Sequence, residues 1–230
     1  VDGYKMTVAC AKHFAVHSGP EAVRHHFDAE VNDKDLWETY LPAFKACVQE
    51  AKVEAVMGAY NRTNDEPCCA HEVLMNEYLR GKWGFKGHYV SDCWAIKDFH
   101  ENHKVTTEPK YSVKLALEKG CDVNCGCTYE RIMEAYDDGI LDEKYITQSC
   151  VRLFTTRFLL GLFDKSELDE IPYDVVECKD HINLAHKAAK ESIVMLKNNG
   201  ILPLKKNTTV ALFGIGSLDY VKGGGGSGMV

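Results

Sequence analysis

Residues 79–96 read LRGKWGFKGHYVSDCWAI, and this stretch carries the clearest signal for a fold. A helical pattern ends near Lys82, and Gly87–Cys93 (GHYVSDC) then has the short, apolar composition of a buried strand. Asp92 stands where that strand ends. A short apolar strand that follows a helix is typical of the parallel sheet of an α/β protein.

The same alternation extends over the first 163 residues. Further buried strands are predicted at Val8–Phe14 (VACAKHF), Val53–Tyr60 (VEAVMGAY) and Cys121–Gly126. Helices are predicted at Asp35–Ala51, Glu72–Lys82, Tyr111–Lys119, Tyr129–Asp138 and Asp142–Phe163, with Pro42 as a kink or first turn, Thr128 as an N-cap and Gly120 and Gly139 as stops. Four strand–helix units in a row indicate the C-terminal half of a (β/α)8-type barrel at residues 1–163.

The pattern changes after the barrel units. Residues 164–181 are polar and contain proline, which predicts a linker. Helical periodicity returns at Ile182–Asn198, and Val210–Phe213 (VALF) is typical of a strand. Residues 182–230 are therefore interpreted as the beginning of a second α/β domain.

The glycine-rich loop Gly223–Gly228 (GGGGSG) permits three interpretations. A native loop is favoured over an engineered linker. A nucleotide cradle is disfavoured, because Gly214-x-Gly216 lacks the third glycine of a dinucleotide fingerprint.

Composition excludes several classes of partner. The net charge is −7 and no dense Lys/Arg run occurs, so binding to nucleic acid is not expected. No apolar run approaches the roughly 20 residues of a membrane helix. The chain opens at Val1 without a leader, and we expect the native start to lie further upstream.

The ten cysteines are numerous for a chain that is too large to need disulfide staples. Cys10 and Cys150 stand in apolar runs and are expected to be small buried side chains. Most of the thiols are expected to be reduced, which favours a cytoplasmic location. Cys121, Cys125 and Cys127 lack the C-x2-C spacing of zinc ribbons, so a metal site is disfavoured.

Polar side chains end three of the predicted strands. They are Lys12-His13, Tyr60-Asn61 and Ser91-Asp92. Catalytic residues of a (β/α)8 barrel lie at these strand ends, and neighbouring cations favour the charged carboxylate that a nucleophile requires. The alternatives are structural: Asp92 as a helix cap, the Lys-His pair as a buried ion pair, and Trp94 as a packing residue instead of a flat surface for a sugar.

At these residues the sequence resembles the family 3 glycoside hydrolases. The matching segments are Leu79–Ile96, Ala11–Arg24 (AKHFAVHSGPEAVR), Val56–Asn64 (VMGAYNRTN) and Met195–Leu204 (MLKNNGILPL). The resemblance implies a barrel followed by an α/β sandwich domain, of which residues 182–230 would be the start.

The resemblance also implies roles for individual residues. Asp92 would be the catalytic nucleophile, which attacks the anomeric carbon and forms a covalent glycosyl-enzyme. The substrate-binding residues would be Lys12 and His13 on the sugar hydroxyls, Tyr60 and Met57 close to the sugar, Arg24 at the pocket wall, and Trp94. Cys93 departs from the family pattern by following Asp92 directly, and Ser-Asp-Cys is similar to the β-xylosidase branch.

The implied reaction is retaining, exo-acting hydrolysis of terminal β-linked xylose or glucose in an oligosaccharide or aryl glycoside. The family needs no cofactor or metal for it. The general acid/base, usually a Glu of the second domain, is expected beyond Val230, so the 230-residue chain is expected to be inactive alone. A non-catalytic carbohydrate-binding descendant of the same fold is the alternative, and homo-oligomer formation stays open.

Overall fold

The computed structural model describes residues 3–17 and 19–219. The chain divides into two compact units between Ser166 and Glu167. The first unit contains both sheets and most of the helices, and the described part of the second contains one α-helix and three 3₁₀ turns. Each unit is described by itself below.

Short strands and helices alternate along the first unit. Its strands are β1 (Cys10–Phe14), β2 (Asp28–Ala29), β3 (Ala55–Gly58), β4 (Arg62–Thr63), β5 (Glu66–Pro67) and β6 (His88–Ser91). Its α-helices are α1 (Asp33–Asp35), α2 (Pro42–Gln49), α3 (Ala95–Glu101), α4 (Pro109–Lys119), α5 (Ile132–Asp137) and α6 (Glu143–Leu159), and π-helical turns span Leu36–Tyr40 and Glu72–Lys82. Single 3₁₀ turns lie at Glu21–Val23, Cys68–Ala70 and Thr128–Arg131.

The principal sheet is parallel, in the order β1-β3-β6. Val56 pairs with Ala11 of β1 and with Tyr89 of β6, so β3 is the central strand. Helices connect the parallel strands, as parallel pairing requires. The predicted α/β class, with the parallel sheet of a (β/α)8-type barrel domain, is therefore confirmed for this part of the chain. The small strands β2, β4 and β5 form a second sheet.

The fourth predicted strand, Cys121–Gly126, is only partly formed. Val123 makes a single parallel bridge to Val90, and the amide of Ser91 donates to the carbonyl of Val123 at 2.9 Å. Within the described residues no strand pairs with the other edge of this segment. A strand with one edge unpaired lacks half of its ladder, so the regular structure is short.

The predicted helix Asp35–Ala51 is divided into three pieces. It begins earlier than expected, at Asp33, because the side chain of Asn32 accepts a hydrogen bond from the amide of Asp35. A π-helical turn follows, and Pro42 then opens α2 as its first residue, where proline's missing amide proton costs nothing. The prediction of Pro42 as a first turn is confirmed.

The other helices differ from prediction mainly at their ends. Gly120 and Gly139 follow α4 and α5 with φ of 94° and 69°, which confirms both as stops. Thr128 is not a cap, because it lies inside a 3₁₀ turn whose preceding residue makes no side-chain cap bond. Helix α6 ends at Leu159, four residues before the predicted end.

Close packing at Gly58 sets the end of the central strand. A Cβ atom there would lie 2.6 Å from both Cys69 Sγ and Tyr89 Oη. Tyr89 is fully buried, and its hydroxyl donates to the carbonyl of Cys68 at 2.9 Å. Any larger residue at Gly58 would therefore displace this core against the strands that lead to the site.

Two cysteines depart from expectation. Cys10 and Cys150 are exposed and not buried as predicted. Cys10 lies on the open face of β1, and Cys150 lies on α6 two residues before Arg152, which reaches the buried Asp122 carboxylate at 2.9 Å. An apolar stretch of sequence does not tell which face of an element a residue occupies.

The second unit contains helix α7 (Lys179–Glu191). This helix is shorter than the predicted Ile182–Asn198 at its C-terminal end and longer at its start. The predicted strand Val210–Phe213 is wrong, since the described part of the unit, residues 167–219, contains no strand. Strands need partners for their backbone groups, and the exposed Leu212 and Phe213 have no sheet to enter. The loop Gly223–Gly228 lies outside the described residues.

None of the helices within residues 3–17 and 19–219 combines the length and the apolar character needed to cross a bilayer.

A buried histidine links the stability of the first unit to pH. His103 follows α3 and is 7% exposed. Burial and the nearby Arg62 lower the pKa of His103 to about 4, from an ordinary value of 6.5. The folded state therefore holds His103 neutral where the unfolded chain protonates it.

We expect the free energy of unfolding to fall as the pH drops from about 6.5 to about 4, by up to about 3 kcal/mol from this residue. The unfolded state binds the extra proton in that window, so acid favours unfolding. Urea unfolding at several pH values would measure the slope. His103→Leu should reduce it, whereas His186→Leu on the exposed α7 should not, and an unchanged slope in His103→Leu would refute the assignment.

Candidate active site

Asp92 lies directly beyond β6, at the C-terminal edge of the sheet. Its amide donates to the carbonyl of Gly58 at 3.1 Å, which extends the β3–β6 ladder by one residue. Its carboxylate accepts from the amide of Cys93 at 2.7 Å, and its side chain is 14% exposed. Asp92 also accepts from the amide of Ala95, the first residue of α3, through its carbonyl at 3.1 Å. Backbone bonds thus fix the residue on both sides.

His13, in β1, contacts this carboxylate. Its Nε2 atom lies 3.3 Å from Asp92 Oδ2. Burial lowers the pKa of His13 below its ordinary value, and His17, Lys12 and Arg24 lower it further against the raising effect of Asp92. The ring is therefore neutral at pH 7 and does not supply the positive charge that the sequence suggested.

Lys12 precedes His13 and is exposed. It lines a cavity of about 290 Å³ with His13, His17 and Tyr40. An ammonium group and two imidazoles at one cavity wall supply several donors for hydroxyl groups.

Tyr60 approaches Asp92 from the end of β3. Its hydroxyl interacts with the Asp92 carboxylate. Burial and the negative charge of Asp92 raise the pKa of Tyr60 to about 12, so the phenol stays protonated. Asp92 thus accepts a hydrogen bond from the following amide and is approached by His13 and Tyr60 from two neighbouring strand ends.

Arg24 lies on the other side of Tyr60. Its guanidinium carbon is 5.0 Å from the centre of the Tyr60 ring, a cation–π contact. His17 stacks at a tilt on His13, with ring centres 4.6 Å apart. The structure therefore brings Lys12, His13, Arg24, Tyr60 and Asp92 together at one edge of the sheet.

Trp94 follows Asp92 by two residues and is 49% exposed. Its φ of 70° is in the left-handed region, which turns the chain sharply into α3. The indole lies against Gly126, where an added Cβ would be 3.2 Å from Trp94 Cε3. Trp94 therefore exposes part of a flat apolar ring two residues after Asp92.

A disulfide joins Cys93 to Cys125, across 32 residues of sequence. The amide of Trp94 donates to the carbonyl of Cys125 at 2.6 Å, and the amide of Cys125 donates to Ser91 Oγ at 3.1 Å. The remaining eight cysteines are free. Eight of the ten cysteines are therefore free, in agreement with the expectation that most are reduced, and the other two form this bridge.

Met57 occupies a deeper level of the same face. It pairs in register with Val90, two residues before Asp92. Both side chains line an apolar groove of about 410 Å³, together with Cys10, His88 and Leu153. Alternation along the strands places His88, Val90, Ala55 and Met57 on this face, so Met57 belongs to the wall of the groove.

The arrangement can perform nucleophilic chemistry. One carboxylate oxygen is bonded to a backbone amide, and the other contacts a neutral imidazole. Such donors orient the carboxylate while it stays accessible to an electrophilic carbon. Over residues 3–17 and 19–219, no group of three or more His, Cys, Asp or Glu is placed to hold a metal ion.

Two histidines and one disulfide of the site were not identified from the sequence. His17 and His25 both flank Tyr60, with ring centres 6.4 and 4.5 Å from it. The run of histidines at positions 13, 17, 25 and 26 was the available signal. The pairing of Cys93 with Cys125 had no signal, because spacing alone does not select a partner among ten cysteines.

Residues 3–156 match the family model of the glycosyl hydrolase family 3 N terminal domain. This match covers well over half of the chain, and the chain belongs to glycosyl hydrolase family 3. The resemblance inferred from the sequence is confirmed.

Two curated relatives are similar to this chain over nearly its whole length. The chain is 45% identical over 219 residues to a xylan 1,4-β-xylosidase of Xylanibacter ruminicola, which covers 92% of the chain and 25% of that protein. It is 42% identical to a probable exo-1,4-β-xylosidase of Neosartorya fischeri, over 90% of the chain and 28% of the relative. The chain thus spans about a quarter of the length of these relatives.

Solved structures of similar enzymes superpose on this chain. A family 3 exo-β-xylosidase in complex with a xylobiose aziridine activity-based probe superposes with a TM-score of 0.75 at 29% identity, over 89% of this chain and 28% of that one. A β-glucosidase from Listeria innocua in complex with glucose gives a TM-score of 0.67 at 27% identity, over 85% of this chain and 27% of that one. The chain has the fold of a section of these enzymes.

The disulfide predicts how many free thiols the chain contains. We expect eight titratable thiols in the chain when it is purified without reductant and denatured, and ten after reduction. Ellman titration measures both values, and peptide mapping should recover Cys93 linked to Cys125. Ten thiols before reduction would show that the bridge does not form.

Proposed function

We propose that the protein containing this chain is a retaining, exo-acting β-glycosidase and that Asp92 is its nucleophile. The observation that carries this proposal is the position of the Asp92 carboxylate at the C-terminal edge of a parallel sheet, where His13, Tyr60 and the Cys93 amide all donate to it or contact it. Catalytic groups of barrel enzymes lie at this edge.

In the proposed reaction, a carboxylate oxygen of Asp92 attacks the anomeric carbon and the glycosidic bond breaks. The glycosyl group is then held as an ester on Asp92 until water releases it with net retention. Lys12 and the neutral His13 donate to the sugar hydroxyls. Arg24 holds the Tyr60 ring, Trp94 offers an apolar face, and Met57 forms part of the floor.

Xylose is the favoured terminal sugar, with glucose second. The curated relatives at 45% and 42% identity are named as β-xylosidases, and among the solved structures the exo-β-xylosidase has 29% identity and the β-glucosidase 27%. The Ser91-Asp92-Cys93 sequence supports the same order, because it resembles the β-xylosidase branch of the family. Short oligosaccharides and aryl glycosides with terminal β-linked xylose are the expected substrates.

A retaining mechanism also needs a general acid/base, with the two carboxyl groups roughly 5–5.5 Å apart. We assign this role to a residue outside the 230 positions of the chain, which spans a quarter of the length of its relatives. The proposed organisation is residues 1–163 in the barrel domain, 164–181 as a linker and 182–230 at the start of the sandwich domain. The chain alone is expected to show no turnover.

The proposed cytoplasmic location rests on the eight free cysteines. The Cys93–Cys125 bridge argues in the other direction, since disulfides persist in oxidising compartments. Fractionation of cells that express the whole protein would decide between them.

A non-catalytic sugar-binding descendant remains the second candidate. The same donors that surround Asp92 would bind sugar hydroxyls without any reaction. Sugar binding by the whole protein, with no covalent labelling of Asp92 by a fluorinated aryl glycoside, would select this candidate over the enzyme.

We expect Asp92→Asn to lower turnover of the whole protein on the order of a thousandfold or more, because an amide keeps the size of the carboxylate but cannot attack carbon. Steady-state kinetics and thermal unfolding would measure activity and folding. Asp137→Asn on the exposed surface of α5 is the matched control and should behave as wild type. Near-native turnover of a folded Asp92→Asn variant contradicts the assignment, whereas azide rescue of Asp92→Gly with inverted product supports it.

We expect p-nitrophenyl β-xyloside to be hydrolysed with a kcat/KM about tenfold above that of the β-glucoside, since steric fit of one added hydroxymethyl group changes the barrier by only ~1–3 kcal/mol. A panel of aryl glycosides measures this ratio. The reverse ratio would assign the protein as a β-glucosidase, and inactivity on every β-glycoside would remove the enzyme proposal.

A further inference from the structure

The ring of Tyr60 contacts a histidine that takes no part in the proposed reaction. The ring of His25 meets the Tyr60 ring edge-on, with centres 4.5 Å apart and planes at 64°. Tyr60 lies beyond the end of β3, where the sheet ladder no longer fixes the chain. Its hydroxyl can donate to Asp92 only if the ring keeps one orientation, so contacts on the ring decide the hydrogen bond.

His25 is itself held by a buried carboxylate. Its Nδ1 atom lies 2.8 Å from Oδ2 of Asp98, whose side chain is 5% exposed. The other carboxylate oxygen of Asp98 accepts from Asn102 Nδ2. A buried carboxylate is costly unless its oxygens are hydrogen-bonded, so the histidine is kept in one position.

These contacts form a connected set of residues that begins and ends at Asp92. Asp98 lies in α3, which begins three residues after Asp92 and is fastened to it through the amide of Ala95. Asp98 of this helix contacts His25, the ring of His25 contacts the ring of Tyr60, and the Tyr60 hydroxyl interacts with the Asp92 carboxylate. A rigid helix therefore couples the backbone of Asp92 to the donor on its side chain.

We propose that His25 and Asp98 form a positioning pair, which holds the Tyr60 hydroxyl on the Asp92 carboxylate in the geometry needed for attack. The inference rests on the proposed function, because it concerns the efficiency of the Asp92 nucleophile. Neither residue touches the sugar. They act through the orientation of the Tyr60 ring.

Two His25 variants of the whole protein test the pair, because each variant keeps only one of the two contacts of His25. His25→Phe keeps an aromatic edge against Tyr60 but cannot donate to Asp98, whereas His25→Asn can donate to Asp98 but loses the ring contact. We expect kcat to fall about tenfold in both variants with a smaller change in KM, because one charge-assisted hydrogen bond to the nucleophile is weakened. Rates are expressed per active site, titrated with a fluorinated aryl xyloside.

The matched control is His100→Phe. His100 lies in the same helix as Asp98 and makes a similar bond, from Nδ1 to Ser112 Oγ at 2.9 Å. The control should retain kcat within about twofold, since general packing changes at a partly buried site usually have small effects. Recovery of wild-type kcat in His25→Asn would show that His25 only satisfies the buried carboxylate, and would overturn the proposal.

A double-mutant cycle supplies the decisive readout. If His25 acts through the Tyr60 hydroxyl, His25→Phe should change kcat less than about twofold in a Tyr60→Phe background, because the shared interaction is already lost. An equal tenfold loss in both backgrounds would mean an independent role and would refute the inference. A wild-type protein without turnover or Asp92 labelling would refute the proposed function itself, and this inference with it.

Discussion

The hydrogen bond from the amide of Asp92 to the carbonyl of Gly58 fixes the position of the proposed nucleophile relative to the parallel sheet. It continues the parallel pairing of β3 and β6 past the last ladder residue and so fixes the level at which the carboxylate leaves the sheet. The close approach of Tyr89 and Cys69 to Gly58 keeps the two strands in this register. A shift by one residue would turn the carboxylate to the opposite face of the sheet.

Two neutral side chains adjoin this carboxylate. His13 is neutral because burial outweighs the attraction of Asp92, whereas Tyr60 stays protonated because burial and the negative charge of Asp92 both raise its pKa. Neither side chain neutralises the charge of the carboxylate, which a nucleophile requires. The cationic side chain of Arg24 lies on the ring of Tyr60, and Lys12 is exposed.

The sheet and its edge were predictable because both follow from simple rules. Apolar runs mark buried strands, and the ends of parallel strands meet, so Asp92, Tyr60 and His13 could be placed together from the sequence. The protonation of His13 could not be predicted, because it depends on burial by distant segments. The strand expected at Val210–Phe213 failed for a related reason, since a strand depends on partners that its own sequence does not specify.

The bridge between Cys93 and Cys125 also constrains how the protein can be prepared. Cys127 is exposed and free, and it lies only two residues from Cys125. During oxidative refolding, Cys93 therefore has two competing partners in the same loop, and only one of them restores the native turn beside Asp92. Material recovered from aggregates needs a thiol–disulfide shuffling buffer, because a wrong bridge formed early is otherwise trapped.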